Sequence, residues 1–198
     1  MITVVTVDLT VDSSAFVPLL SPSELARAEG MATEGLRRRY VVAHGSLRQR
    51  LASVLGDDDP ASIPIEVGEH GKPFVVDGPE FNLSDSGDLA LIAISDGPPV
   101  GIDVERVREV EHERLARRFF SVLECAALES CPDPAVAFFT IWTRKEAVVK
   151  ATGRGISGGL SAFTVSLGAD AHSASGCWVE PVAVPQGYVA AVATVETE

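Results

Sequence analysis

Apolar and polar positions change period several times along the chain, and the changes divide it into elements. Met1-Ile-Thr-Val-Val-Thr-Val-Asp8 alternates like a half-buried strand. Ser21-Pro-Ser-Glu24 reads as a helix start, with Ser21 as cap, Pro22 in the first helical position and Glu24 closing a capping box. Between residues 33 and 55, Leu36, Tyr40, His44, Leu47, Leu51, Val54 and Leu55 recur at helical spacing, and Gly56-Asp-Asp-Asp-Pro60 ends that helix. Segments 63–67 and 73–76 read as short strands joined through Glu69-His-Gly-Lys72, segment 81–86 as a polar loop, and 89–95 as a buried strand. Asp96-Gly-Pro-Pro99 then predicts a turn into a strand around Asp103, the two strands forming a hairpin.

The second part repeats the order of helix, then strands. A helix is expected over 112–129, with Leu115, Phe119, Leu123 and Ala126 inward, and Cys131-Pro-Asp-Pro134 breaks it. A further helix over 135–151 carries Ala135, Phe138, Phe139, Trp142 and Val149 on one stripe, followed by a glycine-rich turn over 153–159. Segments 162–167, 177–184 and 187–195 alternate like antiparallel strands, with a turn at Pro185-Gln-Gly187. The runs 89–95 and 188–194 are alike in character. The expectation is an α+β fold of two similar halves, 1–100 and 101–198, related by a pseudo-twofold, each a long helix packed on an antiparallel sheet.

Composition supports a packed core, since 46% of the 198 residues are hydrophobic. The net charge of −12 argues against a surface that coats nucleic acid. The local basic concentrations are Arg37, Arg38, Arg39, Arg48 and Arg50, and then Arg114, Arg117 and Arg118. No apolar run is long enough to cross a bilayer and no signal-peptide pattern opens the chain, so the expectation is a cytoplasmic protein with no membrane partner. Cys125, Cys131 and Cys177 show no paired spacing and are read as free thiols, and the scattered histidines offer no zinc motif.

Chemistry concentrates in two segments. In Val100-Gly101-Ile102-Asp103-Val104-Glu105 the strand period turns Asp103 and Glu105 to the same face. Two like charges aimed at one point call for a cation or for water, so this is a magnesium-binding face or a solvated strand edge. In Trp142-Thr-Arg-Lys-Glu-Ala-Val-Val-Lys150, Glu146 falls on the apolar stripe with Lys150 four residues on, which is a third metal ligand or an ordinary helix pair. Lys72, stiffly presented between Gly71 and Pro73, is a solubilising turn residue or a point-charge phosphate ligand.

Gly101-Ile-Asp-Val-Glu105, Phe119-Phe-Ser-Val-Leu-Glu124 and Trp142-Thr-Arg-Lys-Glu-Ala147 with Lys150 resemble, in order, the signature blocks of the Sfp-type phosphopantetheinyl transferases. Gly71-Lys-Pro73 and Phe81-Asn-Leu-Ser-Asp-Ser86 resemble that family's two earlier blocks. The resemblance implies the same two-half fold, with coenzyme A in the cleft between halves. It also implies Mg²⁺-dependent transfer of phosphopantetheine to a serine of an acyl or peptidyl carrier protein, whether of fatty-acid, polyketide or nonribosomal peptide synthesis, with release of adenosine 3',5'-bisphosphate.

Carried over by motif, Asp103, Glu105 and Glu146 hold Mg²⁺, and Lys150 and Lys145 balance the pyrophosphate charge. Glu146 or a metal-polarised water takes the serine proton, which makes Glu146 and Lys150 the catalytic candidates. His44 and Ser46 fall where the family contacts the adenosine phosphate end, and Lys72, Pro73 and Ser84 join Asp103 in substrate binding. Asp85 stands where the family has His. An ionised Asp would repel a phosphate, so Asp85, counted among the substrate-binding candidates, turns away toward an Arg, joins the metal shell or weakens coenzyme binding. The expectation is that it turns away and leaves Lys72 and Ser84 to bind. The carrier is expected near Arg114, Arg117 and Arg118, and the enzyme is expected to be a monomer. The alternatives in other classes are a magnesium-dependent phosphohydrolase and a catalytically weakened carrier-binding module.

Overall fold

All seven residues of β5 (Leu89–Ser95) are buried, because this apolar strand is central and covered on both faces. The structure, a computed structural model, describes residues 1–153, 155 and 159–196. β1 (Ile2–Asp8) and β4 (Glu80–Ser86) flank β5 in an antiparallel sheet of order β1-β5-β4. A second antiparallel sheet runs β6-β9-β8-β7, where β6 is Val100–Arg106, β7 His172–Ala174, β8 Cys177–Pro181 and β9 Tyr188–Val195. β2 (Glu66–Val67) and β3 (Pro73–Phe74) form a minimal hairpin. The fold is α+β.

The helices are α1 (Pro22–Glu29), α2 (Glu34–Leu55), α3 (His112–Phe119), α4 (Val122–Glu129) and α5 (Pro134–Thr152). α2 lays Leu47, Leu51 and Ala52 on Phe81, Ile92 and Ile94 of the first sheet. The opposite face of β5, Leu89, Leu91 and Ala93, meets Ile102, Val104 and Val192 of the second. α5 covers the far side of that sheet through Phe138, Phe139, Ile141 and Val148 against Val179, Ala191 and Ala193. Gly101 makes this last contact possible, since a Cβ there would collide with the Ala147 carbonyl and the Ala151 amide. α5 therefore sits directly on β6.

Four expectations change. β5 and β6 form no hairpin: the chain leaves one sheet at Ser95 and enters the other at Val100, where β6 pairs with β9 instead. Segment 81–86 is a strand, not a loop. The helix expected over 112–129 is two helices, because Phe120 is extended (φ −103°, ψ 156°) and Ser121 restarts the helix with Glu124 in a capping box. Segment 162–167 forms no strand; its first residue closes a short 3-10 turn, Leu160–Ala162, and β7 supplies the edge strand instead. The glycine-rich turn over 153–159 falls partly outside the described residues.

Candidate active site

The two sheets meet along a seam made of side chains. Because β4 alternates, Asn82, Ser84 and Ser86 point to the same side, where they meet the outer edge of β6. Asn82 Oδ1 accepts the Ile102 N–H (2.9 Å), Ser84 Oγ the Val104 N–H (3.4 Å) and Ser86 Oγ the Arg106 N–H (3.1 Å). The two hydroxyls donate onward, Ser84 to Asp103 Oδ1 and Ser86 to Glu105 Oε2, each at 2.8 Å. The seam thus orients both carboxylates of β6.

α5 supplies the opposite wall. Glu146 and Lys150 lie one turn apart on it. Lys150 Nζ donates to Asp103 Oδ1 (2.6 Å), Ser84 Oγ (3.0 Å) and the Ile102 carbonyl (3.2 Å), which uses the full donor capacity of an ammonium. Asp103 is 6% exposed and Glu146 8%, yet Asp103 Oδ2 and Glu146 Oε1 are buried without a hydrogen-bond partner. Burial pushes the Asp103 carboxyl up, beyond what Lys150 and Ser84 offset. Burial also raises Glu146, followed by repulsion from Asp103 and, more weakly, Glu105, with Lys150 opposing. Glu105 is half-buried and held by Ser86 and by Arg108 (2.8 Å). Among the described residues, no group of three or more His, Cys, Asp or Glu side chains is arranged to hold a metal ion.

Glu146 and Lys150 line a groove of about 420 Å³ together with Lys72, Pro73, Leu83 and Gly153. Lys72 Nζ is anchored there by Glu80 (3.0 Å) and the Ala151 carbonyl (3.3 Å). Gly71 and Pro73 also line a neighbouring groove of about 420 Å³ bounded by Glu24, Arg27, Tyr40 and His44. His44 stacks on Tyr40 (4.0 Å between ring centres), with Nδ1 3.5 Å from Glu24 Oε1. A larger depression of about 600 Å³ on α3, lined by Glu111, His112, Arg114 and Arg117 among others, holds none of these carboxylates.

Several expected residues lie elsewhere. Lys145 is fully buried and bonded to Glu124 Oε2 (2.8 Å) and to the Leu160 and Phe163 carbonyls, so it cannot balance substrate charge. One residue along a helix turns a side chain by roughly 100°, which takes Lys145 away from the Glu146 wall. Ser46, roughly 200° from His44 around α2, is buried and lines neither groove. Ser84 is buried with its oxygen committed to Asp103, Lys150 and Val104, which leaves no capacity for a phosphate. Asp85 points to the face of β4 opposite Ser84, exposed, in a third groove with Arg39 and His44. Of the basic cluster near α2, Arg48 is spent on Glu24 and the carbonyls of Pro60, Ala61 and Ile63. Sequence reasoning passed over Asn82, Ser86 and Gly101. The x-Asn-x-Ser-x-Ser alternation was the signal for the first two.

Residues 99–193, the stretch holding β6, α5 and the second sheet, match the family model described as the 4'-phosphopantetheinyl transferase superfamily. The chain belongs to that superfamily. It is 41% identical over 146 residues to 4'-phosphopantetheinyl transferase HetI of Nostoc, covering 70% of this chain and 61% of that one. Its identity to 4'-phosphopantetheinyl transferase Sfp of Bacillus subtilis is 34%, over 68% of this chain and 64% of that one. With 4'-phosphopantetheinyl transferase AcpT of Salmonella typhimurium the identity is 38%, covering 69% and 71%. The matched stretch thus spans about three fifths of HetI.

Proposed function

We propose that this chain transfers the phosphopantetheine arm of coenzyme A to a serine of an acyl or peptidyl carrier protein and releases adenosine 3',5'-bisphosphate. The observation that carries the reading is the pair of unpartnered, buried carboxylate oxygens, Asp103 Oδ2 and Glu146 Oε1, beside a groove that also presents Lys72 and Lys150. Two crowded carboxylates in a dry site are costly without a cation. Oxygen donors of this kind suit Mg²⁺, with Asp103 and Glu146 as ligands and Glu105 joining them by giving up Arg108. Bound there, Mg²⁺ would neutralise pyrophosphate oxygens and make the phosphorus more electrophilic.

The chain's own residues supply the rest. Lys72 and Lys150 hold the pyrophosphate in the groove. Tyr40 and His44 receive the adenosine end in the neighbouring one. The serine oxygen forms a bond to phosphorus as the bond to the adenosine bisphosphate oxygen breaks, and Glu146 accepts the serine proton. The exposed Arg114 and Arg117 of α3 suit the acidic helix of a carrier. The halves 1–100 and 101–198 meet, in this reading, at the β4–β6 seam, and one chain supplies the whole site as a cytoplasmic monomer. Among the described residues, no helix is long and apolar enough to cross a membrane.

The test is to incubate the chain with coenzyme A, Mg²⁺ and an apo carrier protein and to weigh the carrier. A mass gain of one phosphopantetheine, lost in Asp103→Ala and in Glu146→Ala, is the expected result. Phosphate release without a mass gain selects a hydrolase, and a stable complex with neither product selects a carrier-binding module. Either outcome overturns the proposal.

A further inference from the structure

Lys150 makes a contact that is costly for a metal site. Its ammonium lies 2.6 Å from Asp103 Oδ1, and its remaining protons go to Ser84 Oγ and the Ile102 carbonyl. A divalent ion drawn to Asp103 Oδ2 or Glu146 Oε1 would sit within a few ångströms of that positive charge, in surroundings too dry to screen it. The side chain is nevertheless 27% exposed, and Lys150 lines the groove with Lys72. A lysine on a flexible four-carbon stem can exchange a carboxylate for a phosphate oxygen in that groove. If the ammonium leaves, Ser84 keeps its bonds to Asp103 and Val104, so the seam survives the exchange.

We infer that Lys150 guards the metal position: in the free chain its ammonium stands in for the divalent cation on Asp103, and a pyrophosphate-bearing ligand draws it away and opens the carboxylates. This inference rests on the reading that Asp103 and Glu146 hold the metal. Its consequence is that metal and coenzyme A bind together. By linkage, whatever factor coenzyme A adds to metal affinity the metal adds to coenzyme A affinity. Removing the guard therefore strengthens metal binding in the free chain while weakening the hold on pyrophosphate.

The experiment titrates Mn²⁺ into the full chain, following free Mn²⁺ by electron paramagnetic resonance, with and without coenzyme A. The proteins are wild type, Lys150→Gln and Lys150→Met, whose unbranched stem keeps the packing should the glutamine variant melt too low. Without coenzyme A both variants are expected to bind Mn²⁺ at least tenfold more tightly than wild type. Coenzyme A is expected to tighten Mn²⁺ binding by a larger factor in wild type than in either variant. Equal or weaker Mn²⁺ binding by the variants, while wild type with coenzyme A retains the ion, overturns the guard and leaves the metal reading standing. Failure of wild type to retain Mn²⁺ even with coenzyme A, unaltered by Asp103→Asn, overturns both.

Discussion

α5 carries two lysines five residues apart, each paired with a buried acid, and the two pairs are built to opposite specifications. At Lys145 the ammonium bonds to Glu124, Leu160 and Phe163, and the Phe163 ring lies 4.4 Å from Nζ. Glu124 in turn accepts the Ser121 and Val165 amides, each at 2.7 Å. Donors and acceptors balance there, and the knot ties α4, α5 and the segment after Gly159 into one piece. At Lys150 the balance is left open, with one oxygen of Asp103 and one of Glu146 unpartnered beside a groove. Burial of charge alone therefore does not mark an active site. What sets the proposed site apart is bonding capacity left over beside a groove.

The largest expected effect comes from the open side. Glu146→Gln should lower kcat/KM for carrier modification by 10³ or more, about 4 kcal/mol of transition-state stabilisation, with the melting temperature unchanged or raised. Retention of a tenth of the rate would erase the distinction between the two lysine sites. Lys145→Met should do the reverse, costing about 3 kcal/mol in urea unfolding because Glu124 is left charged and buried, while the rate per folded molecule stays within threefold.

Glu24 supplies a third acid, closed like Glu124 but nearer the surface. Burial alone would raise it, yet hydrogen bonds from His44, the Ser21 amide and Arg48 hold it at about 2 against an ordinary 4.5. A depressed carboxyl stabilises the fold above its unfolded value and ceases to do so as pH falls through its folded value. The advantage of wild type over Glu24→Gln, about 2 kcal/mol near pH 7, should therefore shrink between pH 4.5 and pH 2. A difference that stays constant across that window would show that Glu24 acts by packing alone. The smallest effect is at Glu80. Releasing Lys72 with Glu80→Gln should lower the KM for coenzyme A about twofold to threefold, as expected for one half-exposed charge pair.

The long amphipathic elements were legible in the sequence, α2 and α5 above all, because their stripes run for many turns and both have clear end signals. The Ser21 cap was legible too, its side chain and that of Glu24 being local partners. That Asp103, Glu146 and Lys150 come together was legible because strand and helix periods constrain them and because their motif resembles a family's. Strand partnership was not legible. Nothing near Val100 indicates that its strand pairs with residues 188–194 instead of 89–95, since either partner offers the same apolar run. β4 read as a loop because Asn, Ser and Asp disfavour strands. The Asn82, Ser84 and Ser86 side chains are in fact the bonds that hold this one to its neighbour. Lys145 was misread because a spacing of one from Glu146 says nothing about which neighbour a lysine will find.

The β4–β6 seam divides the freedom of its own sequence. Positions 82 and 84 must each offer a short side chain with an oxygen, or a buried β6 amide is stranded, while Ser86 extends the same pattern to the exposed Arg106 amide. Positions 81, 83 and 85 look the other way and carry no such obligation to β6. An aspartate can therefore occupy position 85 with no rung of the seam lost. Alternate residues of one strand thus answer to different masters, the even ones to the β6 seam, Phe81 and Leu83 to the core under α2, and only Asp85 to an open groove.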